Sequence, residues 1–153
     1  MDPIDPAMEA EWAQACDAIY RVLKRGRGVV GRGGGGRVLS EAQVLMLESV
    51  AHRGPLPVGT IARYAGLAQP TVTRMLNTLE RQEVVRRRAS SQDERVVLVE
   101  LTEEGRRLWE AKHAVLRDYQ RDSLERFAPE ERRAAVDMLR KLVAIIEDQI
   151  DER

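Results

Sequence analysis

Apolar residues recur every three to four positions over most of the chain, which predicts a mainly α-helical protein. In the first such segment, residues 8–25, one helix face carries Trp12, Ala15, Cys16, Ile19, Val22 and Leu23. The same spacing predicts five further helices, at about residues 40–52, 58–65, 69–82, 102–127 and 129–150. The pattern changes at residues 84–101, where two β-favouring runs flank the polar tip Ser90-Ser91-Gln92 and predict a hairpin.

Residue types at the predicted helix ends fit these boundaries. Ser40 followed by Gln43 resembles a capping box, and Thr102 is a good N-cap for the helix after it. Gly66 suits the left-handed conformation that often ends a helix. Pro70 stands in the first turn of its helix, where a missing N–H costs nothing.

The two short helices at 58–65 and 69–82 are joined by a tight turn that contains glycine, as in a helix-turn-helix motif. The second helix has one apolar stripe, and its opposite face is polar. Arginine can donate two hydrogen bonds to guanine, and asparagine can pair with adenine. We therefore predict DNA contacts from Gln69, Pro70, Thr71, Thr73, Arg74 and Asn77. An ordinary solvated surface is the alternative interpretation of this face.

The predicted hairpin follows this helix directly and is rich in arginine. A helix-turn-helix followed by a β-ribbon is the winged-helix arrangement, in which the ribbon lies along the DNA backbone. A narrow minor groove concentrates negative potential and attracts arginine. The positive charge that this position requires comes from Arg86, Arg87, Arg88 and Arg95. The ribbon residues that we predict at DNA are Arg86, Arg88, Ser90, Asp93 and Arg95.

The segment of about residues 39–110 resembles the MarR family of bacterial winged-helix regulators. The matching positions are Val72-Thr73-Arg74, Leu79-Glu80, Asp93, Arg95, Leu101-Thr102 and Gly105. The resemblance implies that Arg95 reaches into the minor groove while Asp93 orients it. One departure is Glu83, where related sequences usually have glycine, and it predicts a different local turn.

The resemblance further implies that the terminal helices interlock across a two-fold axis. We therefore expect an N-terminal dimerisation helix with a Gly-rich loop (1–38), a winged helix-turn-helix DNA-binding lobe (39–102) and C-terminal dimerisation helices (103–153). Such a homodimer would read a palindromic operator in double-stranded DNA, most often as a repressor in this family. The alternative is that the terminal helices pack back onto their own lobe.

Regulators of this family usually respond to a small-molecule effector bound between the dimer helices and the lobe. The residues that we expect to line such a pocket are Trp12, Cys16, Tyr20, Met46, His52 and Trp109. Cys16 and Tyr20 also have the spacing found in a peroxide-sensing branch of the family. A reactive thiol needs a positive neighbourhood. Because Asp17 is adjacent and Cys16 lies on the apolar stripe, a buried structural cysteine is the preferred interpretation and a thiol-based sensor the alternative.

Charge is balanced over the whole chain but not along it. Lys and Arg number 25, as do Asp and Glu, so the zero net charge gives no whole-molecule attraction to nucleic acid. Residues 21–37 nevertheless carry six basic side chains and no acidic one. Seven glycines in 26–37 predict a flexible loop, which is either a solvated linker or a contact to DNA phosphates.

The inventory of residues excludes several classes of protein. Cys16, His52 and His113 are too few for a disulfide or a structural zinc site, so we expect no metal and no cofactor. We find no catalytic triad and no phosphate-binding loop, so an enzyme is not expected. Without a membrane-length apolar run or a signal peptide, the chain is expected to be cytoplasmic. A winged-helix module that binds protein instead of DNA is the remaining alternative.

Overall fold

The computed structural model describes residues 4–26 and 37–152. The predicted glycine-rich loop at 26–37 lies almost entirely outside the described residues. The elements, in chain order, are α1 (Pro6–Gly26), α2 (Glu41–Arg53), β1 (Leu56–Pro57), α3 (Val58–Ala65), α4 (Gln69–Arg81), β2 (Val85–Ala89), β3 (Val97–Leu101), α5 (Glu103–Glu125) and α6 (Arg132–Asp151). The predicted class, mainly helical with a small β-wing, is confirmed.

The helix caps that the sequence predicts are present. The Ser40 hydroxyl accepts from the Gln43 amide at 3.2 Å, and the Gln43 side chain accepts from the Ser40 amide at 2.8 Å. Gly66 ends α3 with a left-handed φ of 62°. The Thr102 hydroxyl accepts from the Gly105 amide at 2.9 Å and so caps α5.

The sheet is antiparallel, has the strand order β1-β3-β2 and contains one strand that the sequence did not predict. Leu56 of β1 pairs with Val99 of β3. A two-residue strand that contains Pro57 and follows Pro55 has no alternating pattern, so periodicity could not reveal it. The wing strands differ slightly from the predicted bounds of 84–88 and 95–101, since β2 is shifted by one residue and β3 begins two residues later, at Val97.

One apolar core joins α2, α3, α4, the sheet and the first turns of α5. Its buried members are Leu39, Val44, Met46, Leu47, Val50, Ile61, Ala62, Val72, Leu76, Leu79, Val84, Val85, Val99, Leu108 and Trp109. The indole N–H of Trp109 donates to the carbonyl of Val44 at 2.9 Å, so α5 is fastened to α2 by a buried hydrogen bond. This core fixes the direction of α4 and of the wing.

The turn at Glu83 corrects the sequence-based expectation. Glu83 has φ of 59°, so it adopts the left-handed conformation itself, and the expectation of a different turn is wrong. Its amide donates to the Glu80 carbonyl at 2.9 Å, and the Val84 amide donates to the Leu79 carbonyl at 2.9 Å. These two bonds form a Schellman motif, and the apolar pair Leu79 and Val84 is buried behind it. The motif therefore imposes the turn on a residue other than glycine.

A close backbone approach holds the wing against the start of α5. A Cβ on Gly105 would lie 1.8 Å from the Val84 carbonyl oxygen, so only glycine fits there. The Thr102 hydroxyl also contacts the carbonyl of Glu83 at 2.6 Å. The first turn of α5 therefore rests directly on the turn that aims the wing.

The terminal helices leave their apolar stripes uncovered. On α6 the exposed members are Met138, Leu139, Val143, Ile145, Ile146 and Ile150. On α1, Trp12 is 54% exposed and Cys16 is exposed as well, so the expectation of a buried cysteine is wrong for the chain by itself. The last helix starts at Arg132 instead of Pro129 and is preceded by a turn over residues 129–131, in which the Glu131 amide donates to the Ala128 carbonyl at 2.9 Å.

The described chain divides into two compact units, one ending at His113 and the other starting at Ala114. The division falls inside α5. No helix of the described ranges has the length and hydropathy needed to cross a membrane.

Candidate nucleic-acid interface

Helix α4 buries one stripe and presents the polar residues that the sequence selected. Val72, Leu76 and Leu79 are fully buried. Thr73 is half-buried, and the other selected side chains are exposed, namely Gln69, Pro70, Thr71, Arg74 and Asn77. The exposed face therefore offers amide, hydroxyl and guanidinium groups at the spacing of successive helical turns.

Arg87 restrains one of these candidate side chains. Its guanidinium donates to the Asn77 side-chain oxygen at 2.8 Å and forms an ion pair with Glu80. Adenine recognition needs both the oxygen and the amino group of asparagine. The Asn77 oxygen already accepts one hydrogen bond from Arg87, so in this geometry Asn77 helps to position the wing on α4. Arg87 was expected to add positive charge for the DNA backbone, but it lies on the strand face opposite Arg86 and Arg88 and pairs with α4 instead.

Arg86 and Arg88 lie on the same face of the wing and share one carboxylate. The Arg86 Nε is 2.6 Å from one Glu100 oxygen, and the Arg88 Nε is 3.2 Å from the other. The hydrogen bond from Arg86 is the largest cause that lowers the pKa of Glu100, although desolvation opposes it. Glu100 was missed by the sequence analysis, and the antiparallel pairing of Arg86 with Glu100 is the signal that reveals it.

The tip of the wing is closed by local hydrogen bonds. The Asp93 carboxylate accepts from the Arg95 amide at 3.0 Å, and the Val96 amide donates to the Asp93 carbonyl at 2.9 Å. The Ser90 hydroxyl accepts from the Gln92 amide at 3.2 Å. Asp93 therefore shapes the turn through the backbone of Arg95, while the Arg95 side chain is exposed.

The residues predicted to line an effector pocket fall into two groups. His52 meets the Trp109 ring edge-on at 5.3 Å between centroids, and Met46 lies fully buried on the same helix as His52. Trp12, Cys16 and Tyr20 are exposed on α1. An open groove of about 280 Å³ beside His52 is lined by Leu45, Glu48, Ser49, His52, Arg53 and Tyr64. His52 therefore borders a groove, and nothing in its lining selects an organic effector.

Comparison with known proteins assigns this arrangement to a family. The model of the MarR family matches residues 39–97. An uncharacterized HTH-type transcriptional regulator of Bacillus subtilis, YfiV, is 32% identical over 72% of this chain and 69% of its own length. A second B. subtilis protein of that description, YdgJ, is 27% identical over 68% of this chain, and the match spans 63% of YdgJ.

A solved structure shares the fold. FabT of Streptococcus pneumoniae, in complex with DNA, aligns with a TM-score of 0.77 over 90% of this chain and 99% of its own. Its sequence identity is 20%, so this similarity establishes the fold alone. The sequence relatives are named as transcriptional regulators and not as enzymes.

Proposed function

We propose that this chain, which belongs to the MarR family of transcriptional regulators, binds double-stranded DNA through α4 and the wing. The proposed active form is a homodimer that recognises a palindromic operator and represses transcription. A small-molecule effector is proposed to release it.

The observation that carries this proposal is the exposed polar face of α4 next to a wing with three exposed arginines. These arginines are Arg86, Arg88 and Arg95. Phosphate contacts supply much of the affinity for DNA, and base-edge contacts supply the specificity. One lobe therefore offers both kinds of contact, and the DNA complex of the structural neighbour FabT is consistent with this use.

The start of α4 is suited to a phosphate. Its N-cap is Ala68, and no side-chain hydrogen bond caps this end of the helix in the described chain. The helix dipole favours an anion at such an end, although Pro70 has no N–H and the Thr71 and Val72 amides donate to the Ala68 carbonyl. We propose that this end and Thr71 contact the backbone, while Arg74 reaches a base edge in the major groove.

The dimer is proposed from the uncovered apolar stripes of α1 and α6. Leu139, Val143, Ile146 and Ile150 recur at intervals of four, three and four residues, which is the seam of a helix pair. Contiguous exposed apolar surface of this kind marks an interaction site. A two-fold pair would place two copies of α4 at successive major grooves, about 10 base pairs apart.

The effector is proposed to act by changing the separation of the two lobes. A ligand can shift the separation of the two lobes only if it binds one arrangement more tightly than the other. Exposed Cys16 favours a second candidate, a thiol-based regulator, over the buried structural cysteine. Asp17, the next residue, opposes the anionic thiolate that such a sensor needs.

Selection of binding sites from random double-stranded DNA tests the proposed function. We expect enrichment of one inverted repeat with half-site centres about 10 base pairs apart. Arg95→Ala should weaken binding to the selected site about 10-fold without unfolding the protein, since it removes an exposed wing contact.

Arg121→Ala is the matched control, because Arg121 is also an exposed arginine but lies on α5, paired with Asp118 at 2.6 Å. It should leave the affinity for DNA unchanged. Recovery of no preferred sequence would contradict the proposal. Equal weakening by the two substitutions would show that Arg95 acts only through the general charge of the protein.

A further inference from the structure

The two histidines of the chain meet a glutamate at the junction of α2 and α5. One ligand atom from each of Glu48, His52 and His113 lies within 4.8 Å of the other two. Glu48 and His52 are one helical turn apart, so they share a face of α2. We propose that these three side chains form a binding site for a late first-row divalent transition-metal ion, with Zn²⁺ as the reference ion.

The donor set decides the class of ion. Two imidazole nitrogens and one carboxylate oxygen suit Zn²⁺ and its neighbours, which bind such atoms at about 2.0–2.2 Å. Ca²⁺ and Mg²⁺ prefer oxygen ligands alone. Tetrahedral ligands at that distance lie about 3.3 Å apart, so the ligand atoms have to approach one another by at most about 1.5 Å. His52 is exposed and can make this movement by rotating its side chain.

The two imidazoles are arranged around a fixed indole. The Trp109 ring stacks on His113 at 4.4 Å with an interplanar angle of 15°, and it meets His52 edge-on at 5.3 Å. Trp109 is itself buried and held by its hydrogen bond to Val44. Supporting contacts of this kind hold ligands near the geometry that a metal needs.

The surroundings give the ion a route to the cluster. Glu48 and His52 line the open groove of about 280 Å³, together with Ser49. The Ser49 hydroxyl is buried and has no hydrogen-bond partner among the described residues. A water molecule on the ion is one group that this hydroxyl can bind, because three protein ligands leave a fourth coordination position open.

This site differs from the one that the sequence excludes. Two histidines and one cysteine cannot form a closed structural zinc site, but an open site needs only three protein ligands and accepts a carboxylate. Glu48 and His113 each take part in another interaction, which competes with the ion for these side chains. We therefore expect affinity in the micromolar range and a link between α2 and α5 that strengthens when the ion binds.

The proposal is tested by measuring metal binding to the tag-free chain, which is first treated with EDTA and dialysed. Calorimetric titration with ZnCl₂ should give one ion per chain, and saturating zinc should raise Tm by on the order of 5 °C. His52→Gln and Glu48→Gln should each weaken binding at least about 10-fold. Glu41→Gln, on the same helix but outside the cluster, should bind zinc like the parent.

CoCl₂ supplies a second readout. The complex should show weak visible d–d bands without the near-ultraviolet thiolate band, because Cys16 is not a ligand. The proposal would be overturned if the protein bound no zinc at about 100 µM, or if the cobalt complex showed a thiolate band. Unchanged zinc binding in both His52→Gln and Glu48→Gln would overturn it as well. His52 is exposed, so its variant should fold, which circular dichroism checks. DNA is absent from the test, so the result is independent of the proposed function.

Discussion

The winged lobe buries its apolar side chains, whereas the terminal helices expose theirs. In the lobe, Met46, Leu47, Ile61, Leu76 and Val99 have no exposed surface at all. On α6, Leu139 is 62% exposed and Ile150 67%. Both regions have apolar stripes at helical spacing, so the stripe alone does not tell which helix is covered within one chain. The lobe completes its own core, while the terminal helices leave apolar surface exposed within one chain.

The comparison predicts that the largest loss of stability comes from crowding inside the lobe. Gly105→Ala places a Cβ 1.8 Å from the Val84 carbonyl oxygen, and both groups are backbone-fixed. We expect a loss of about 3 kcal/mol in the free energy of unfolding, measured by urea denaturation.

The matched control is Gly59→Ala on α3. Its added Cβ meets only the Gln69 side chain, at 3.5 Å, and alanine favours helix. Its free energy of unfolding should stay within about 1 kcal/mol of the parent value. Equal stability of the two variants would mean that α5 does not press against the turn at Glu83.

A charge on the α6 stripe should break association and leave the lobe folded. Ile146→Lys introduces an ammonium group at a position that the proposed dimer covers. We expect the dimer dissociation constant to rise about 100-fold in sedimentation equilibrium.

Ala144→Lys is the control for that experiment, because residue 144 is exposed and lies on the opposite side of the same helix. It should leave the association unchanged. If Ile146→Lys associates like the parent, or if the parent is a monomer at micromolar concentration, the stripe is covered by something other than a second copy.

The smallest effect is expected at the carboxylate that holds the wing arginines. Glu100→Gln removes the anion shared by Arg86 and Arg88, so both guanidinium groups become available to phosphates. We expect binding to any DNA duplex to tighten about threefold at low salt, measured by fluorescence anisotropy. Glu110→Gln on α5 should change nothing. Weaker binding by Glu100→Gln would instead mean that Glu100 orients the two arginines for DNA.

The same carboxylate makes a small, pH-dependent contribution to stability. Because the pKa of Glu100 is lowered in the folded protein, its ion pairs stabilise the fold above the ordinary carboxyl pKa. That contribution is lost as the pH falls through the lowered pKa. The arginines are therefore held by Glu100 throughout the neutral range, in which DNA phosphates have to compete for them.

Local signals explain which parts of the fold were predictable. The bounds of α3 agree with the prediction because Gly66 ends the helix with its own left-handed conformation. The strand β1 and the turn at Glu83 were not predictable, because each is imposed by partners distant in sequence or by the Schellman motif. Glu83 shows that tertiary support can place a glutamate where propensity favours glycine.

The candidate interface also has features that local sequence signals predict and features that they do not. Amphipathicity identified the exposed face of α4, and this face is present as predicted. The contacts of Arg87 with Asn77 and Glu80 depend on how a strand lies against a helix, which periodicity does not report. The cluster likewise joins Glu48 and His52 to His113, which is distant from them in sequence, so spacing along the chain could not reveal it.

The central claim is that two copies of the lobe, joined by the terminal helices, grip one DNA duplex through α4 and the wing. The most direct test is fluorescence-detected sedimentation at a series of salt concentrations. The labelled duplex carries the selected inverted repeat. We predict two chains per duplex. The logarithm of the binding constant should fall steeply with the logarithm of the salt concentration, and the slope should be shallower by about one for Arg95→Ala. One chain per duplex, or equal affinity for a scrambled duplex at every salt concentration, would contradict the claim.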